Sequence, residues 1–258
     1  MAAKIKIQHL TKIYPTSSQN GGLLAVRDAT FDVEDEEFVC ILGPSGCGKS
    51  TMLNVIAGLD TSYGGDVIIN SCSIRDPNYC KPRIGYVFQE PRLLPWLTVE
   101  KNIHFALECD GIPKEKWDKA TSDALDLVGL TGFGHSHPHQ LSGGMQQRAS
   151  IARSFAVDPD ILLMDEPFSA LDEITARNLR KNLLQIWEKT RKTILFVTHN
   201  AFEATFLADR IVLMTKRPGK VYEEVKVGVP RPRQYDDVAL FELNTKIVRN
   251  FLHQIGEE

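Results

Sequence analysis

The stretch "GPSGCGKST" sets a cation, a hydroxyl and three glycines at a spacing suited to one kind of ligand. Gly43, Gly48, Lys49 and Ser50 take the fixed places of G-x-x-x-x-G-K-[ST], directly after the apolar run Phe38, Val39, Cys40, Ile41 and Leu42. The glycines at 43, 46 and 48 remove Cβ atoms, so successive backbone N–H groups curl round an anion where a helix begins. Lys49 would bring an ammonium to the outer phosphates, and the Ser50 hydroxyl offers a hard oxygen to Mg²⁺. With Pro44, Ser45, Gly46, Cys47 and Thr51 filling the remaining places, the chemistry expected is the binding of a nucleoside triphosphate. A thiol among those donors and near Lys49 is expected to be reactive, with MgATP shielding Cys47.

Two further stretches fit the same chemistry. "ILLMDEP" is an apolar run ending in adjacent carboxylates, which would set Asp165 beside a metal held by Ser50 and leave Glu166 to accept a proton from the attacking water. "QLSGGMQQR" opens a helix, with Ser142 in an N-cap place and Gly143 and Gly144 exposing backbone N–H groups. One chain needs one phosphate loop, so a second anion-binding helix start suits a nucleotide held by another copy.

The elements that must position these residues can be read from periodicity. Residues 4–43 read as short strands broken by the polar loop "PTSSQNGG" at 15–22, an N-terminal antiparallel region; the acidic run Asp32 to Glu37 reads as a solvated turn. From about residue 90 to 156 the pattern turns helical, as in "VEKNIHFALE" and "KATSDALDLVGL", giving a helical subdomain. Then "ILLMDE", "EITARNLRKNLLQIWEKT", "TILFVT", "AFEATFLAD" and "RIVLM" alternate strand and helix, which predicts a parallel sheet covered by helices, an α/β fold.

Composition bounds the class. The chain has 258 residues, 43% hydrophobic and 24% charged, with a net charge of −3 and intermixed signs, so one domain is expected and no nucleic-acid partner. No apolar stretch of roughly 18 residues appears, and the N-terminus lacks a signal-like run, so the chain is expected to stay in the cytoplasm. The five cysteines lack C-x-x-C spacing and predict neither a disulfide framework nor a zinc site. His135, His137 and His139 alternate in one loop but have no further ligands in the sequence.

"GPSGCGKST", Gln89 in "YVFQEP", "LSGGM", "ILLMDEP", "SALD" at 169–172 and His199 in "VTHN", in that order, resemble the ATP-binding subunit of an ABC transporter over nearly the whole chain. The resemblance implies a P-loop NTPase of ABC type with a RecA-like core, filling residues 1–258 as one domain. It implies an ATPase that forms a head-to-tail homodimer around two ATP molecules with Mg²⁺. Tyr14 would stack on adenine; Gln89 would touch the metal and the attacking water; Asp172 would link the two sites; His199 would hold the γ-phosphate. Two positions depart from the family pattern: Met145 replaces a common Gln, and Glu36 in "DEEF" replaces a common Gly.

"PRLLPWLTVEKNI", "EPFSALD", "RPGKV" and "RPR" at 231–233 are similar to the nitrate, sulfonate and taurine branch of import ATPases. That likeness implies separate integral-membrane permease subunits, a substrate-binding protein beyond them, and a peripheral place on the cytoplasmic face of the membrane. Pro91–Leu97 is the expected surface for a permease coupling helix. A non-transport ABC ATPase would use the same site but would bring a coiled coil, tandem domains or a basic surface, and none is visible. A monomeric P-loop kinase or GTPase would not need "LSGGM".

Overall fold

The structure is a computed structural model that describes residues 3–15 and 22–255; most of the expected 15–22 loop lies outside the described residues. The chain opens with β1 (Ala3–Tyr14), β2 (Leu23–Glu34), β3 (Phe38–Leu42), α1 (Lys49–Ile56), β4 (Gly64–Ile69) and β5 (Cys72–Ser73). It continues through β6 (Ile84–Val87), α2 (Val99–Cys109), α3 (Trp117–Leu127), α4 (Gly143–Ala156), β7 (Ile161–Asp165) and α5 (Glu173–Thr190). β8 (Thr193–Thr198), α6 (Ala201–Leu207), β9 (Arg210–Met214), β10 (Val221–Lys226) and α7 (Val238–Ile255) complete it. Two compact units result, one of Met1–Lys81 with Thr193–Glu258 and one of Pro82–Lys192.

In the first unit, β2, β1, β4 and β5 form an antiparallel sheet in that order. The two opening strands are twelve residues each, longer than the short strands expected. β3 does not join them: it runs parallel to both β8 and β9, with β10 antiparallel on the far side of β9. The residues explain the difference. β2 alternates buried and exposed positions along part of its length, as a strand with one wet face does, whereas all five residues of β3 are buried, which a parallel strand covered on both faces requires.

The acidic turn before β3 is also more than a solvated run. Arg210, at the start of β9, donates to both Glu37 oxygens at 2.9 and 2.8 Å and to the Asp32 carbonyl at 2.7 Å, and pairs with Glu224. These bonds raise the Arg210 pKa above its ordinary value, with the hydrogen bond to Glu37 the leading cause. Glu36 itself takes φ 62°, the left-handed region where glycine costs least. Its N–H donates to Thr193 Oγ1 at 3.0 Å, so the residue at this departure from the family pattern shapes a turn.

The second unit pairs β6 with β7 in parallel and carries α2, α3, α4 and α5, so it spans more than the expected helical segment. Val99, Asn102, Ile103 and Leu107 form the buried face of α2 at helical spacing. Asn102 does unexpected work there. Its Oδ1 accepts from Leu94 N–H at 2.8 Å, and its Nδ2 donates to the carbonyls of Leu94, Leu97 and Thr98 at 3.2, 3.2 and 2.9 Å. His135 Nδ1 lies 3.2 Å from Glu100, and no group of three or more metal-ligating side chains occurs among the described residues. No helix among them is long and apolar enough to cross a membrane.

Candidate nucleotide site

In the first unit, the loop from Gly43 to Gly48 joins the end of β3 to the start of α1. Gly48 takes φ 104°, and a Cβ there would come within 2.6 Å of Val26 Cγ2, so both conformation and space require glycine. Gly46 has φ 75° but faces open space. Lys49 is only 4% exposed, and its ammonium donates to the carbonyls of Gly43 and Pro44 at 2.8 and 3.0 Å. Ser45, Gly46 and Ser50 are exposed, which leaves the rim of the loop open.

The Cys47 thiol is a correction. Cys47 is 1% exposed, and a Cβ placed on Gly43 would lie 2.8 Å from its Sγ, so the thiol forms the underside of the loop. Steric cover of this kind makes a thiol inert whatever the donors nearby. A remote segment walls in the same underside. Gly219 N–H donates to Ala25 O at 2.9 Å, its carbonyl accepts from Arg27 N–H at 2.8 Å, and a Cβ at Gly219 would collide with the Cys47 carbonyl.

Two other predicted residues come to this unit's site edge. β3 and β8 pair with Leu42 opposite Thr198, so Gly43 and His199 leave the same edge of the sheet, and His199 is exposed. The chain there is held by Thr198, whose hydroxyl donates to Glu203 at 2.6 Å and accepts from Asn200 N–H at 3.0 Å. Tyr14, at the end of β1, donates through its hydroxyl to Thr51 Oγ1 at 3.2 Å, which ties the ring to the first turn of α1.

The second unit gathers the remaining groups. Val87 pairs with Met164, so Gln89 follows the end of β6 where Asp165 ends β7 and Glu166 follows it. Asp165 is buried and Glu166 half-buried, with φ 43° at Glu166 turning the chain and its carbonyl accepting from Ser169 Oγ at 2.9 Å. A left-handed non-glycine residue at such a place is the kind of local strain that functional sites retain. The Tyr86 phenol is pushed up by burial and then by the Asp165 carboxylate. Ser142 N-caps the fourteen-residue helix α4, accepting from Met145 N–H at 3.3 Å, while Gly143 is exposed beside it. Asp172 caps α5 the same way, accepting from Thr175 N–H at 2.9 Å, and that bond is the main reason its pKa is lowered.

Gln147 and Arg153 were not foreseen. Gln147 Nε2 donates to Phe88 O at 3.1 Å, just before Gln89, and Arg153 donates to Arg92 O and Pro91 O at 2.8 and 3.3 Å. Arg153 and Asn102 together hold Pro91–Leu97, from which Trp96 projects 69% exposed. No sequence signal marks these bonds, because the quoted stretches give residue types and order but not which side chain reaches which remote carbonyl.

Chemically, a glycine loop at a helix start offers backbone N–H groups suited to an anion, and Ser50 in the first unit and Gln89 and Asp165 in the second each carry a hard oxygen of the kind Mg²⁺ prefers. Comparison with known proteins identifies the family. The family described as ABC transporter matches residues 26–169. An uncharacterized ABC transporter ATP-binding protein of Methanocaldococcus jannaschii is 44% identical over 248 residues, 96% of this chain and 91% of that protein. An aliphatic sulfonates import ATP-binding protein of Bacillus cereus is 41% identical over 248 residues, 96% of this chain and 95% of that one. A dimeric ATP-binding cassette in a post-hydrolysis state, bound to ADP and Pi, superposes with a TM-score of 0.77 at 33% identity, covering 88% of this chain and 100% of that one.

Proposed function

Because the chain belongs to the ABC transporter family and is an ATPase with that family's α/β cassette fold, we propose that two copies close head to tail around two MgATP and drive import through separate permease subunits. The observation that carries this reading is a second phosphate-suited helix start, Ser142 with Gly143 and Gly144, in a chain with one complete phosphate loop.

In this reading the loop from Gly43 to Thr51 binds the triphosphate, Lys49 neutralises its outer phosphates, and Tyr14 stacks on adenine. Ser50, Asp165 and Gln89 would hold Mg²⁺, which when bound supplies charge stabilisation to the transferring phosphoryl group. Glu166 accepts the proton of the attacking water, which Gln89 helps to orient. His199 holds the γ-phosphate, and Asp172 links one site to the other. Each nucleotide meets the Ser142 helix start of the opposite copy.

The likeness to aliphatic sulfonates import proteins supports a small sulfonate-type anion as the solute, delivered by a binding protein on the other side of the membrane. The cassette then lies on the cytoplasmic face. The braced segment Pro91–Leu97, with Trp96 exposed, is the docking surface for a permease helix.

The test uses heterodimers. Lys49→Ala breaks the phosphate loop and Ser142→Arg blocks the opposing helix start, so either homodimer has two damaged sites. A heterodimer concentrates both lesions in one site and leaves the other intact. With Glu166→Gln added to every chain to slow hydrolysis, and two tags to isolate heterodimers, about one ATP should be trapped per heterodimer and almost none per homodimer. No gain on mixing would overturn the shared-site reading.

A further inference from the structure

Lys12 is a lysine in a strand, 4% exposed, in a part of the molecule where the motifs give it no task. Its ammonium donates to Asp60 Oδ1 at 2.7 Å and to the Ser62 carbonyl at 2.6 Å. Both partners lie just beyond α1. A buried ion pair is weak support for stability, because withdrawing two charges from water offsets most of their attraction. The geometry around it suggests a different use.

The same ammonium lies 4.8 Å from the centre of the Tyr14 ring, on its face. The ring is therefore fixed twice. Its hydroxyl is tied to Thr51 at the start of α1, and one face is covered by a cation that is itself anchored beyond the end of α1. A flat partner would then stack on the face opposite the ammonium. An ammonium behind a ring also draws the ring's π electrons toward itself, so the outer face repels the electron-rich face of a purine less.

We infer that Lys12 is a positioning residue for the nucleotide base: held by Asp60, it fixes the Tyr14 ring and confines the base to one face of it. The inference rests on the reading of Tyr14 as the adenine platform. Lys12 touches no phosphate and contributes to affinity only through the base. Asp60 acts one step further back, by holding the ammonium in place.

The experiment measures equilibrium binding of MgATP and of Mg-tripolyphosphate, which presents the phosphates without a base, to the full chain. Lys12→Met should weaken ATP about fivefold, the scale of ordering one freed side chain on binding, and leave tripolyphosphate unchanged. Lys12→Met also strands the Asp60 charge, so the double variant Lys12→Met with Asp60→Asn removes that side effect and should show the same selective loss. Tyr14→Ala serves as the reference. If Tyr14→Ala binds ATP normally, the platform reading fails and the inference with it. If Tyr14→Ala loses ATP while both Lys12 variants bind it like the wild type, the platform stands and the inference is wrong. A parallel loss of tripolyphosphate, or full recovery in the double variant, would show a merely structural lysine and also overturn it.

Discussion

Gly46 and Gly48 stand two residues apart in one loop, both with positive φ, yet alanine should affect them by different amounts. At Gly48 two costs combine. A φ of 104° is strained for any L side chain, about 1–2 kcal/mol, and the new Cβ would press to 2.6 Å on Val26 Cγ2 and 3.0 Å on the Ala25 carbonyl. Those neighbours belong to β2, a backbone-anchored wall with little room to shift, so overpacking adds about 1–3 kcal/mol. At Gly46 the φ of 75° is also strained, but the Cβ meets nothing within 4 Å. Alanine there further restricts the unfolded chain, which returns about 0.5 kcal/mol and leaves a net cost near ~1 kcal/mol. With the same unfolded-chain return, Gly48→Ala should lose about 1.5–4.5 kcal/mol, and for a chain this long each kcal/mol lowers Tm by roughly 2–4 °C. Urea unfolding of the two variants beside the wild type, at matched m-values, measures the difference directly. Equal losses, within about 0.5 kcal/mol, would refute the claim that β2 packs against the loop at Gly48.

Maleimide should label the exposed Cys80 and Cys109 quickly and leave Cys47 and Cys40 unmodified until the protein unfolds, with no effect of MgATP; rapid labelling of Cys47 in the folded chain would contradict its burial. Asp172 has a lowered pKa in the folded state, so its stabilisation is complete above the ordinary carboxylate value and is lost as pH falls through the folded one. The gap in urea midpoint between wild type and Asp172→Ala should thus be present near about pH 7 and close toward about pH 3, and a gap independent of pH would rule the cap bond out. Arg210→Met strands Glu37, which is bound by two guanidinium nitrogens, and should cost about 3–5 kcal/mol, with partial recovery when Glu37→Gln is added; calorimetry showing no loss would count against the network.

Much of this was legible in the sequence where local pattern and burial agree. The helix read over 173–190 and the strand over 193–198 match α5 and β8, because the apolar spacing is helical and an unbroken apolar run follows. Ser142 was legible as a cap-type residue opening a helix. β3 was misassigned to the antiparallel region because nearness in sequence was taken for pairing, although its lack of alternation already argued for a parallel strand. The Cys47 expectation weighed the charges around the loop and could not weigh cover from below. Lys12 and Arg210 gave no signal, and Asn102 and Gly219, though inside "PRLLPWLTVEKNI" and "RPGKV", gave none of the bonds they make, since residue type alone does not name a backbone partner.

The wall that Gly219 forms beneath Cys47 has a consequence for how damage to this protein would be recognised. Every residue that names the phosphate loop lies before position 52, yet the loop's floor arrives with the hairpin turn that follows β9. A fragment ending before that turn would keep the whole motif, would pass any search for it, and would have lost one side of the mould in which the loop is cast. The same holds for a missense change at Gly219, where a bulky side chain would be a lesion of nucleotide binding although it lies far along the chain from the phosphate-loop motif. Motif intactness and site intactness are separate properties of this chain.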